Sequence, residues 1–167
     1  AVDADGNMWG SQLGTNGRLV RVSLDDLSYE IWNTPNGPHW YGMTVDDQGY
    51  VWTCSNTVGR FDPETETWDT NVVGGYTGCM ADVGDDGLLW MSKGNGVIGI
   101  NRETLEKEAD WNTAGSYGVS IDFYGYVWTV AYGNSAHRVD PENGDVQSYN
   151  GLNSAYTYSD MTGFALE

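Results

Sequence analysis

The chain has 167 residues, with eight tryptophans, eleven tyrosines and 23 glycines against four prolines. That is core material and backbone punctuation for one many-turned all-β domain rather than a disordered segment. Its 24 acidic and 7 basic side chains leave a formal charge of −17, which repels phosphate backbones and excludes nucleic acid as a partner. No apolar run reaches the ~18 to 20 residues of a membrane span, so no membrane insertion is expected.

The first element in chain order is DADGNMW (3–9), an acid-glycine turn running into Trp9. It begins without Met, a charged n-region or an apolar h-region, as an excised domain would. A polar turn, SLDDLSY, follows from Ser23. The second copy is the fullest: YGMTVD, GYVWTCS, VGRFDP and TWDTNVV, four short β-branched and aromatic segments separated by turn residues. Each predicts a strand. Its turns are DDQG before Trp52 and DPETET from Asp62. The third copy carries GDDGLLW up to Trp90 and NRETLEKE from Asn101, where LEKEAD is the one locally helix-tolerant piece. The fourth carries DFYGYVW up to Trp128 and DPENGDV from Asp140.

The tryptophans are 43, 38 and 38 residues apart, and the outer turns begin 39 residues apart each time. Four short strands per ~40 residues is the pattern of a β-propeller blade. One module over 1–167 is predicted, with repeats at about 1–40, 41–78, 79–116 and 117–160 and a closing segment at 161–167. The first copy lacks the start of its inner strand, and the tail TGFALE (162–167) matches YGMTVD and YGVSID. A four-bladed ring in which that strand completes the first blade is therefore expected. The alternatives are an open part of a larger ring, or a ring closed by two or more chains as a homo-oligomer.

The run P-H-x-x-G-x-T-x-D-x-x-G-x-x-W from Pro38 to Trp52, followed by V-G-R-F-D-P-E-T, resembles the repeats of the virginiamycin B lyase (streptogramin lyase) family. NHL-type repeats are similar in rhythm. The resemblance covers all four copies and implies an exported bacterial protein, extracellular or on the cell surface. In the lyase family it further implies a seven-bladed ring that opens a cyclic ester by elimination with Mg²⁺, a pair of histidine loops and a Glu near the Pro-His. Here Pro38-His39 is present, but Gly37 stands where the Glu would be. Thr77 and Gly115 take the place of His39 in the third and fourth copies, and the other histidine, His137, falls in the strand segment SAHRVD. Elimination needs at least two positioned proton-transfer groups. The expected function is therefore a non-catalytic ligand- or protein-binding or scaffold module of an exported multidomain protein, with the metal-dependent C–O lyase reaction as the alternative.

Trp9, Trp52, Trp90 and Trp128 recur in every unit and are assigned to packing between blades. Arg21, Arg60 and Arg138 share a strand position and are expected to form interblade or turn salt bridges. Candidate binding residues lie on loops that share one end of the ring: His39, Trp40, Tyr41, Tyr76 and Tyr117 before inner strands, and Asn56, Asn95 and Asn134 after second strands. Polar-tipped aromatics there suit a glycan, a peptide or a protein loop, or else they plug the central channel. No cofactor is implied by the residues themselves, although Mg²⁺ or Ca²⁺ would offset part of the negative charge. Cys54 and Cys79, in adjacent repeats, fit either buried thiols or one disulfide.

Overall fold

The computed structural model describes residues 1–13, 17–35, 41–55, 57–72, 77–81 and 87–157. Among them the chain is all-β, without helix, and forms four antiparallel meander sheets that are the four blades of a β-propeller. Blade 1 holds β1 (Met8–Ser11), β2 (Arg18–Val22) and β3 (Tyr29–Asn33). Blade 2 holds β4 (Gly42–Val45), β5 (Val51–Cys54), β6 (Val58–Asp62) and β7 (Thr67–Val72). Blade 3 holds β8 (Cys79–Ala81), β9 (Leu88–Ser92), β10 (Gly96–Asn101) and β11 (Lys107–Asn112). Blade 4 holds β12 (Gly118–Ile121), β13 (Val127–Val130), β14 (Gly133–Val139) and β15 (Val146–Ala155). The helix-tolerant LEKEAD piece is a turn that runs into β11, because sheet pairing with β10 overrides its local propensity.

Among the described residues blade 1 shows the end of an inner strand, a single bridge between Val2 and Met8. It is the counterpart of the Val45–Val51 and Ile121–Val127 pairs that close the inner hairpins of blades 2 and 4. The expected closing strand, 162–167, lies outside the described residues.

The acid-glycine turn has a specific job. Asp3, Asp46 and Asp122 each accept backbone N–H groups two and four residues on through Oδ1, at 2.8 to 3.1 Å. Their Oδ2 atoms accept the indole N–H of Trp9, Trp52 and Trp128 at 2.7, 2.8 and 2.7 Å. The glycine between, at φ of +83°, +87° and +82° for Gly6, Gly49 and Gly125, supplies the left-handed turn. D-x-x-G-x-x-W is thus a device that folds the inner hairpin and aims the tryptophan. Six residues before Trp90 the sequence has Gly84 in place of an acid, and the buried Trp90 Nε1 has no partner among the described residues. Gly99 opposes Trp90 in place of the arginine found elsewhere, and a methyl group on it would come within 3.1 Å of the indole. Strand register places Asp82 level with Asp46 and Asp122, and it lies outside the described residues.

Alternation along the strands gives each blade two apolar faces, and three clusters fill the spaces between blades. Trp9 and Leu19 of blade 1 meet Met43, Val51 and Phe61 of blade 2. Trp52, Cys54 and Val58 of blade 2 meet Ala81, Leu89, Met91, Ile98 and Ile100 of blade 3. Trp90 and Val97 of blade 3 meet Val119, Ile121, Val127 and Val139 of blade 4. In each case the tryptophan belongs to the trailing face of one blade and covers the leading face of the next. Cys54 and Cys79 form a disulfide across the second interface, with Cα atoms 6.0 Å apart. Of the two readings open from sequence, the structure shows the bonded one.

Near the axis the blades come close. A Cβ on Gly42 would lie 2.3 Å from the carbonyl oxygen of Thr77, at the start of blade 3. Blade 3 also departs from its neighbours: Met80 pairs with Trp90, whereas Thr44 pairs with Trp52 and Ser120 with Trp128. Its inner hairpin is two residues longer, so Thr77 is the structural counterpart of Tyr41 and Tyr117. This corrects the sequence alignment, which set Thr77 against His39.

The arginines are corrected as well. Arg21 pairs with Glu30 and Arg60 with Asp69 across neighbouring strands of their own blades, while Arg138 donates to Gln147. They also lie over aromatic rings, Arg138 4.0 Å from the centre of Tyr126 and Arg60 4.8 Å from that of Tyr50. The interblade ion pair is made by a residue not singled out from sequence. Arg102, buried in the outer turn of blade 3, reaches Asp46 at 3.5 Å and Asp47 on the inner hairpin of blade 2.

Candidate functional site

In a meander blade, the segment before the inner strand and the turn between the second and third strands share one end of the propeller. Acid-rich hairpins occupy the other end, where the turns are committed to the Asp–Trp device. The first end carries a cluster of four tyrosines. Tyr41 and Tyr117 hold equivalent positions, their N–H groups donating to Cys54 O at 3.1 Å and Val130 O at 2.9 Å. Their rings meet edge to face at 5.9 Å although they belong to blades 2 and 4. The small Thr77, standing in their place in blade 3, lets them meet; its hydroxyl donates to Tyr117 O at 3.1 Å.

Two further rings join them among the described residues. Tyr132, in the turn between β13 and β14, stacks on Tyr156, just past β15, at 4.8 Å and 14°. Tyr117 lies under both, at 5.1 and 5.5 Å. Tyr132 is 68% and Tyr156 41% exposed, whereas Tyr117 is buried. The outcome is a platform with an anchored base and two rings open to solvent. Burial and then hydrogen bonds to Tyr41, Tyr132 and Tyr156 push the Tyr117 hydroxyl well above the ordinary tyrosine range. The Tyr41 bond shifts the exposed Tyr156 the other way, below that range.

Of the residues proposed from sequence, Tyr41 and Tyr117 are brought together here. Asn95, on a turn, and Asn134, at the start of β14, are exposed at the same end, and Asn134 Oδ1 accepts the N–H of Ser154 at 3.3 Å, steadying the segment before Tyr156. His39, Trp40, Asn56 and Tyr76 lie outside the described residues. Tyr132 was missed, although an aromatic in a variable-length loop beside Asn134 was a legible signal. Lys93, in the corresponding loop of blade 3, is engaged by Asp110 and by Asn112 at 2.8 Å. The two basic groups Lys107 and Lys93 hold the Asp110 carboxyl below its usual range.

His137 is 3% exposed on β14, with Nδ1 2.9 Å from Ser148 Oγ and Nε2 3.3 Å from Ser135 Oγ. Both ring nitrogens are taken within blade 4. Burial lowers its pKa from the ordinary value of 6.5, so the unfolded chain takes up the proton first. Stability is then lost as pH falls below about 6.5, down to the folded-state pKa. Urea midpoints between pH 7.5 and 5 should fall for the wild type and stay flatter for His137→Gln; equal slopes would refute this coupling.

Among the described residues no three His, Cys, Asp or Glu side chains converge to hold a metal ion, and there is no helix long and apolar enough to cross a membrane. The donor set that Mg²⁺ would need is not supplied by these described residues.

No protein-family model and no curated protein matches the chain. Solved structures do. The virginiamycin B lyase of Staphylococcus aureus superposes with a TM-score of 0.74 at 19% identity, over 90% of this chain and 54% of that one. The fold is that of a virginiamycin B lyase-like propeller. A catalytically inactive histidine-to-alanine form of that lyase with Quinupristin gives a TM-score of 0.75 at 20% identity. The extracellular domain of a one-component system from B. thetaiotaomicron gives 0.64 at 14%, over 88% of this chain and 24% of that one. The chain spans about half the length of the virginiamycin B lyase it matches.

Proposed function

We propose that this virginiamycin B lyase-like module is a non-catalytic binding unit of an exported protein, and that its ligand, a glycan or a short peptide, stacks on the tyrosine platform. The observation that carries this reading is the Tyr132–Tyr156 pair, two stacked rings held open to solvent over a buried third. Exposing such a pair forgoes burial that either ring would gain in a core, and an apolar sugar face or peptide side chain recovers it. The likeness to an extracellular domain supports an exported setting.

The test is retention on glycan and peptide arrays, followed by calorimetry with and without EDTA. Tyr132→Ala should weaken the captured ligand about tenfold, the effect of one aromatic contact of roughly 1 to 1.5 kcal/mol, with the melting temperature unchanged. Binding should be indifferent to EDTA. Retention of nothing, or a ligand indifferent to both Tyr132→Ala and Tyr156→Ala, would sink the proposal.

The fold likeness supports a second reading, a metal-dependent lyase acting on a cyclic ester. It requires linearisation of Quinupristin in the presence of Mg²⁺, lost in His39→Ala. That result would replace the binding reading.

A further inference from the structure

The seam between blades 2 and 3 is closed at its acid-rich end by an arginine, and the seam between blades 1 and 2 is not. In the first, Arg102 on the outer turn of blade 3 reaches Asp46 at 3.5 Å and pairs with Asp47, both on the inner hairpin of blade 2. The side chain of Arg102 is 5% exposed and that of Asp46 fully buried. In the second, repeat register puts Pro63 in the place of Arg102 and Ala4 in the place of Asp47. Two short side chains stand where the other seam has a long cation and its partner, and a cleft of about 390 Å³ lies between the turns.

The cleft keeps the anionic half of the arrangement. Asp3, the counterpart of the buried Asp46, lines it and is partly open to solvent, and Asp5, Asp47, Asp62 and Glu64 line it as well. Among the described residues the cation at its wall is Arg21, which is already paired with Glu30 and lies 5.6 Å over the Trp9 ring. No three of the described carboxylates converge to hold a metal ion, so the negative charge is spread over a span that suits a wide cation with several donors. Both walls belong to described blades. Ala1 and Trp9 exchange backbone hydrogen bonds, so the strand through Ala1 enters the turn from the opposite end of the propeller, and chain before it leads away from the cleft.

We propose that this cleft binds the guanidinium of an arginine carried by a peptide segment, taking from a ligand the group that Arg102 supplies from within the chain one seam further on. A guanidinium presents five N–H donors in a plane and stacks on aromatic rings, as Arg21, Arg60 and Arg138 do in this chain. The compact ammonium of lysine lacks that planar fork. Trp9 and Tyr50 in the wall of the cleft supply aromatic surface, and the formal charge of −17 draws basic segments toward the molecule. The site lies at the opposite end of the propeller from the tyrosine platform and does not depend on it.

Calorimetry at low salt with the blocked peptides Gly-Arg-Gly and Gly-Lys-Gly tests this. The arginine peptide should bind at one site per chain, about tenfold more tightly than the lysine peptide, and added salt should weaken it. The double variant A4D/P63R, which installs the Arg102–Asp47 pair in this seam, should abolish binding without lowering the melting temperature. Should that variant fail to fold, D5N/E64Q, at two exposed positions, should weaken binding about tenfold through the loss of two charged acceptors. A wild type that takes up no arginine peptide would overturn the proposal, as would equal affinity for the lysine peptide or binding kept in both double variants. So would loss of the arginine peptide in Tyr132→Ala with A4D/P63R unaffected, since the peptide would then sit on the tyrosine platform.

Discussion

Asp46→Ala is expected to lower the stability of the propeller by about 4 kcal/mol, within the range for breaking a buried ion pair, and its melting temperature by roughly 10 °C. The side chain of Asp46 is fully buried and does three things at once. It accepts the N–H groups of Gln48 and Tyr50, accepts the Trp52 indole at 2.8 Å, and faces the buried Arg102 at 3.5 Å. Alanine leaves the N–H groups of Gln48 and Tyr50 and the buried Trp52 indole without this acceptor and leaves Arg102 with Asp47 alone, and unmade bonds to charged groups are the costly ones. Asp3→Ala should cost less, since the next blade has Pro63 in the place of Arg102 and Asp3 is partly open to solvent. Equal losses at the two positions in chemical unfolding would show that the Arg102 contact contributes nothing.

Replacing both cysteines by alanine is expected to cost about 3.5 kcal/mol, by the chain-entropy estimate for a closed loop of 25 residues. The bond ties the second strand of blade 2 to the inner strand of blade 3. It therefore constrains the unfolded chain across a blade boundary instead of within a hairpin that would form locally. The urea midpoint should drop by roughly 1 M or more, for an ordinary slope of 1 to 3 kcal/mol per molar. A shift below a quarter of that would mean that the two blades already associate in the unfolded state. Single Cys54→Ala or Cys79→Ala variants should be no better than the double, because each leaves a thiol in the apolar space between blades.

Much of this was legible before any coordinates. The D-x-x-G-x-x-W spacing identified the inner hairpins and the tryptophans, since turn chemistry and packing in a repeat recur with its period. Blade 3 escaped that reading because its inner hairpin is two residues longer; Trp90 keeps its place in the count while Thr77 slides by two. The site was half visible. Tyr41 and Tyr117 stand in equivalent positions, so register found them. That they touch depends on a threonine in the blade between, and that Tyr132 joins them depends on the fold of a loop whose length varies between copies. Arg102 was missed because its partners lie 55 and 56 positions away, beyond what any local pattern encodes.

The contact between Gly42 and the Thr77 carbonyl bears on the aperture of the assembly. With 2.3 Å between that oxygen and the point where a Cβ would stand, the inner edges of blades 2 and 3 approach as closely as backbone allows. Ring radius is then governed at the hub, by a missing methyl group, and the rim only has to follow. Alanine at 42 acts as a wedge at the narrow end of the sector. It splays the two blades, loosens the seam bridged by Cys54 and Cys79, and draws Tyr41 away from Tyr117. A single hub glycine thereby couples the angle between two blades to the spacing of rings on the ligand face.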